Sequence, residues 1–169
     1  PFMRELAEET RQANQLAVFD RGSVVVVAQQ EAPGYWGISI RVGSHISLYD
    51  TGSGHVLLAF RSQEERLMMI NEYSASGEET TVETEFFERL DQIRERGYEI
   101  MPSAQTAGVF NLSAPVLGPD GRALAALTVP YINLVNASQA PDMAETQRML
   151  TRTSRQLSKL AGADIDLPA

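Results

Sequence analysis

Val109-Phe110-Asn111-Leu112-Ser113-Ala114-Pro115-Val116-Leu117 runs into Gly118-Pro119-Asp120-Gly121. Arg122-Ala123-Leu124-Ala125-Ala126-Leu127-Thr128-Val129-Pro130-Tyr131 runs out of it. Two apolar runs of strand length around Gly-Pro-Asp-Gly predict a tight hairpin and an antiparallel pair. Successive strand side chains point to opposite faces, so Val109, Asn111 and Ser113 share one face. Phe110 and Leu112 fall on the other, expected against helices.

Outward from this hairpin the pattern alternates between helix and strand periods. Residues 3–14 read as a modest amphipathic helix with Met3, Leu6 and Ala7 as its stripe. Residues 15–19 and Val24-Val25-Val26-Val27 flank Asp20-Arg21-Gly22 and predict a hairpin, with both faces of the valine strand at least partly covered. After the turn Ala32-Pro33-Gly34, Trp36, Ile38, Ile40 and Val42 alternate as in a half-buried strand. Residues 43–48 connect. Asp50-Thr51 looks like a helix N-cap leading into Val56-Leu57-Leu58-Ala59-Phe60, and Ser62 with Glu65 is a capping box opening a second helix through Ile70.

Residues 74–81 are a polar loop. Val82, Phe86, Leu90 and Ile93 share a helical face that Gly97 ends, and Phe87 beside it is a candidate interface residue. Residues 98–101 predict a short strand. From Pro141-Asp142, the stripe Met143, Leu150, Leu157 and Leu160 gives a helix of about five turns, with Gly162 just past its end. The order predicts an α+β fold with a twisted, mostly antiparallel sheet flanked by helices, in one domain over 1–169. A strictly alternating parallel arrangement is disfavoured.

Composition narrows the function. A net charge of −8 opposes direct contact with a phosphate backbone by this piece. With no cysteine there is no disulfide framework and no thiolate chemistry. No apolar run approaches the roughly 18 residues of a membrane span, and no signal peptide is visible. The start Pro1-Phe2, with Met only at position 3, reads as that of an excised piece.

Catalytic constellations are missing. His45 and His55, the two histidines, lie ten positions apart and read as partly exposed polar residues; no metal and no cofactor is expected. Gly52-Ser53-Gly54 matches a nucleophile elbow only loosely. Neither a phosphate loop nor a dinucleotide fingerprint is present. The segment Asp50-Thr51-Gly52-Ser53-Gly54 has the most chemical interest. A helix N-terminus offers unpaired amides, and two glycines let a ligand oxygen approach. The alternative is that Asp50 caps the helix and the glycines serve tight packing. The Asp50 carboxylate would repel an anion, leaving a neutral carbonyl or phenol-like oxygen open.

From Gly43 to Phe60, with Gly52-Ser53-Gly54-His55 at its centre, the sequence resembles the first signature of the IclR-family regulators, with His55 in place of the usual lysine. Gly97-Tyr98, Gly108, Ser113-Ala114-Pro115-Val116, Asp120-Gly121 and Ala125-Ala126-Leu127-Thr128-Val129 resemble the second. The opening helix from Leu6 and the closing helix to Gly162 are also similar, so the resemblance covers nearly the whole chain in order. It implies a GAF-like fold and a cytoplasmic bacterial transcription regulator that is not an enzyme. It implies that this chain is the effector-binding domain, self-associating as a homodimer or homotetramer. DNA would be bound only by a winged helix-turn-helix domain N-terminal to this piece.

Carried over residue by residue, the resemblance places Gly52 and Ser53 as donors to the effector, and Tyr35, Ile38 and Ile46 as apolar wall. Met101, Val109, Asn111 and Thr128 fall where the family lines its cavity. Met101 stands where keto-acid binders tend to carry an acidic group, Asn111 where cysteine is common and Pro130 where a small hydroxyl residue often lies. These departures, with Tyr35 and Trp36, suggest an aromatic or larger apolar effector with one polar end. A GAF-type sensor from another signalling protein, or a small enzyme on the same scaffold, is the alternative.

Overall fold

Eleven elements follow one another in the computed structural model, which describes residues 1–34, 37–75, 77, 83–135 and 139–164. They are α1 (Phe2–Thr10), β1 (Asn14–Asp20), β2 (Ser23–Gln30), β3 (His45–Ile46), α2 (Gly52–Ala59), α3 (Gln63–Ala75), α4 (Thr84–Arg96), β4 (Glu99–Pro102), β5 (Phe110–Leu117), β6 (Ala123–Tyr131) and α5 (Met143–Leu160). The strands form one six-stranded sheet in the order β3-β2-β1-β6-β5-β4. Every neighbouring pair is antiparallel. The α+β reading holds.

The sheet separates two apolar layers. On one side Leu112, Ala114 and Val116 of β5 and Leu127 and Val129 of β6 meet Leu6 of α1 and Leu150 of α5. On the other, Ala17, Val24, Val26 and Ala126 meet Val56, Leu57 and Leu58 of α2, Met69 and Ile70 of α3, and Leu90 and Ile93 of α4. Strand parity sorts each strand between these layers. All eight residues of α2 are buried, so this short helix is enclosed on every side and its ends need polar partners from elsewhere in the fold.

Local signals fix several boundaries. The Ser62 amide donates to Glu65 Oε2 at 2.9 Å and the Glu65 amide to Ser62 Oγ at 3.2 Å, a reciprocal capping box. Gly97, at φ +88°, ends α4 in the left-handed conformation, where its amide reaches the Ile93 carbonyl. Asp142 caps α5 through the Glu145 amide.

Other expectations are corrected. Residues 37–42 form no strand, and Trp36 lies outside the described residues. Gly34 and Gly43 take positive φ, and among the described residues the segment meets the sheet before β3 through the backbone bonds Val26–Ser44 and Gly43–Val26. The Ile38–Ile40 alternation there serves a cavity wall, not a pleated sheet. In β2 Val24 and Val26 are buried and Val25 on the other face is half-buried, so both faces are partly covered as far as Val27, which is exposed. Phe110 is exposed at the end of β5, so of its pair only Leu112 meets the helices. Leu160, 72% exposed, does not extend the α5 stripe. His55 is buried rather than partly exposed. Phe87 is half-buried against the core and Phe86. Val82 lies outside the described residues.

Candidate ligand-binding site

A row of polar side chains crosses the sheet beneath α2. Gln15 of β1 pairs with Thr128 of β6, Thr128 with Ser113 of β5, and Ser113 with Glu99 of β4. Directly paired residues in an antiparallel sheet share a face, so these four point together toward the helix. Ser53 Oγ lies 2.9 Å from Thr128 Oγ1, which lies 2.7 Å from Ser113 Oγ. His55, two residues further along the helix, sets Nδ1 3.0 Å from Glu99 Oε2 and Nε2 2.5 Å from the Tyr49 carbonyl.

Glu99 is fully buried yet well paired. Arg89 Nε donates to its Oε2 at 2.7 Å, Arg96 Nη2 to its Oε1 at 2.5 Å, and the Ile100 amide to the same oxygen at 2.9 Å. Burial pushes this carboxyl up, but the hydrogen bond from His55 and the bond and charge of Arg89 outweigh it. The group is held below the ordinary carboxylate value, so it is an anion at neutral pH.

The two glycines of α2 are close-approach residues. A Cβ on Gly52 would stand 2.4 Å from Ser113 Oγ, and one on Gly54 would stand 2.2 Å from the Leu48 carbonyl oxygen. Both contacts lie far inside van der Waals distance, so tight packing accounts for both glycines. Thr51 caps the helix by accepting from the Gly54 amide at 3.0 Å. Asp50 does not cap it: its Oδ2 accepts from Ser47 Oγ at 3.2 Å, and the residue stays exposed at the mouth of the cavity described next.

That cavity opens where α2 begins, with about 550 Å³ of space free of protein atoms, part of it open to solvent. Asp50, Thr51, Gly52 and Ser53 form one wall. The floor is Gln15, Thr128, Asn111 and Pro130, with Val109 beside them, and Ile38, Ile40 and Ile46 form the apolar wall opposite. Residues Ser103 to Thr106, the turn between β4 and β5, complete the rim. Ser103 Oγ accepts from the Gln105 and Thr106 amides there.

Of the residues singled out from the sequence, the structure brings together Ile38, Ile46, Gly52, Ser53, Val109, Asn111 and Thr128. Met101 pairs with Asn111 in the next strand outward and does not border the cavity. Tyr35 lies outside the described residues. Gln15, Ile40 and the 103–106 turn were not foreseen. Parity within β5 was readable, but the register of β1 against β6, which brings Gln15 beside Thr128, leaves no local mark. Among the described residues no group of His, Asp and Glu is arranged to hold a metal ion. No helix among them is long and apolar enough to cross a membrane.

Known proteins share this architecture. The family described as bacterial transcriptional regulator IclR C-terminal matches residues 1–159. The HTH-type transcriptional regulator KdgR of Escherichia coli is 30% identical over 163 residues, covering 95% of this chain and 61% of that protein. The p-hydroxybenzoate hydroxylase transcriptional activator of Acinetobacter baylyi is 26% identical over 134 residues, covering 75% of this chain and 49% of that protein. Among solved structures, Pseudomonas aeruginosa HmgR superposes with a TM-score of 0.79 at 27% identity, over 98% of this chain and 65% of that one. The C-terminal domain of Escherichia coli KdgR gives 0.74 at 28% identity, over 95% of this chain and 94% of that one. The chain thus spans about three fifths of the length of the KdgR relative.

Proposed function

The chain belongs to the IclR family of bacterial transcriptional regulators, as their C-terminal domain, and from that premise we propose that it senses a small organic effector and mediates self-association in a cytoplasmic regulator. Residues 1–169 are then one effector-binding domain, and a winged helix-turn-helix domain preceding it in the parent protein contacts DNA. The chain itself has no catalytic role.

The observation that supports sensing is the cavity at the start of α2. Apolar walls with a few placed polar groups are the usual make-up of a small-molecule site. Here Ile38, Ile40, Ile46 and Val109 supply the apolar part, and Asn111, Thr128, Ser53 and Gln15 the polar part. The effector sits against Gly52 and Ser53, at the end of a buried helix bonded to β6 through Thr128 and to β4 through Glu99. A ligand that holds α2 in one of two positions biases the whole layer, provided it binds one state better. The association state is a homodimer or homotetramer.

A thermal-shift screen against keto acids, aromatic acids, phenols and lactones tests this, with native mass spectrometry beside it. Concentration-dependent stabilisation by one class is expected, weakened in Asn111→Leu and Ile38→Trp. Turnover of one compound with stabilisation by none would replace sensing with catalysis.

A further inference from the structure

His55 is 4% exposed, and each of its ring nitrogens meets an acceptor oxygen. The partner of Nε2 is the Tyr49 carbonyl. A carbonyl has no proton to give, so Nε2 must carry the proton of that bond. The partner of Nδ1 is Glu99 Oε2, which also accepts from Arg89 Nε. The other carboxylate oxygen accepts from Arg96 Nη2 and the Ile100 amide. Two guanidiniums and an amide favour the charged carboxylate, so the proton between Glu99 and the ring belongs to Nδ1. A neutral imidazole has one N–H and would turn a bare lone pair toward one of the two oxygens.

We infer that His55 is a buried imidazolium and a positioning residue of the cavity, gripping the Tyr49 carbonyl with one nitrogen while Glu99 holds the other. This rests on the sensing function proposed above. Within the turn, Ser47 Oγ accepts from the Tyr49 and Asp50 amides, and Thr51 Oγ1 donates to the Ser47 carbonyl. Those bonds shape the turn, and the Tyr49–His55–Glu99 chain ties that shape through α2 to β4. Asp50 and Thr51, the next residues of the turn, wall the cavity, so the ring sets where that wall stands. A buried cation needs a paired anion, and Glu99 supplies it from β4. Arg89 and Arg96 of α4 reach the same carboxylate but are 44% and 39% exposed, so water weakens their repulsion of the ring. From α4 the uncharged Phe86 ring packs on the imidazole, 5.2 Å between centroids.

The test is nitrogen-15 NMR of the imidazole at pH 7 in the 169-residue chain carrying His45→Gln, which leaves His55 as its one histidine. Two protonated ring nitrogens are expected. With Glu99→Gln added, one protonated and one bare nitrogen are expected, because the charge that holds the second proton is gone. Hydrogen–deuterium exchange reads the turn. In His55→Gln the Tyr49 and Asp50 amides are expected to speed up about tenfold more than those of the β5–β6 hairpin, the effect of losing one hydrogen bond from a charged donor.

A bare ring nitrogen in the chain that keeps Glu99 overturns the imidazolium. Equal acceleration in the turn and the hairpin overturns the positioning role, since loss of a core residue loosens both alike. Neither readout uses a ligand, so either failure leaves sensing intact. Failure of sensing shows instead in the thermal-shift screen, where no compound stabilises although the ring and the turn behave as expected.

Discussion

Ser53 Oγ and Thr128 Oγ1, 75 positions apart in sequence, lie 2.9 Å from each other in the buried space between α2 and the sheet. Thr128 also meets Ser113 at 2.7 Å, so a single hydroxyl ties the helix to two strands. Thr128→Val keeps the shape and removes both bonds, leaving two serine hydroxyls short of a partner. The expected loss is about 1–3 kcal/mol in urea unfolding. A loss close to zero would mean that the three hydroxyls add nothing to the fold.

Gly54→Ala should be more damaging than its size suggests. The added carbon would stand 2.2 Å from a backbone oxygen, that of Leu48, and backbone cannot swing aside as a side-chain tip can. Either α2 or the 47–51 turn must move. Overpacking of this kind costs about 1–3 kcal/mol, and chemical denaturation reads it directly. The displaced helix start should also weaken any ligand that binds the cavity.

Glu99 sets the acid limb of stability. Its folded-state pKa is lowered from the ordinary 4.5. Its contribution is therefore complete above that value and is lost as pH falls through the folded-state value. Glu99→Gln removes the anion that faces His55, Arg89 and Arg96. The two arginines are partly exposed, which puts the neutral-pH cost near the low end for a broken buried pair, about 3 kcal/mol. Urea midpoints followed from neutral pH down to about pH 3 should fall less steeply in the variant than in the wild type.

Arg66→Met tests the other end of α2. Arg66 is buried; its Nε donates to the Leu58 carbonyl at 3.1 Å and its Nη2 to the Ala59 carbonyl at 3.0 Å, while Nη1 meets Asp91 at 2.7 Å. These bonds satisfy carbonyls that the last turn of a helix leaves open. Methionine fills similar space without donors, and the expected cost is about 1.5–3 kcal/mol. The loss should appear as earlier amide exchange in α2, measured by hydrogen–deuterium exchange.

The sequence by itself determined the elements whose signals are local. The Gly118–Gly121 turn, the Ser62–Glu65 capping box, Gly97 and Asp142 each act within a few residues of their own position, so their chemistry is written in order along the chain. Parity along β5 placed Asn111 on the cavity side, and the ordered motifs pointed to the family. Tertiary structure alone decided the rest, because it depends on which strands become neighbours and in what register. Nothing local in Gln15 says that it will stand beside Thr128, since a shift of one residue would turn it to the opposite face. The alternation at Ile38 and Ile40 fits a strand equally well until the glycines around it bend the chain over a cavity. His55 and Arg66 look like surface residues in sequence. They are buried because Glu99, Tyr49, Leu58, Ala59 and Asp91 arrive from other elements to bond them, and a buried polar group is stable only where such partners converge.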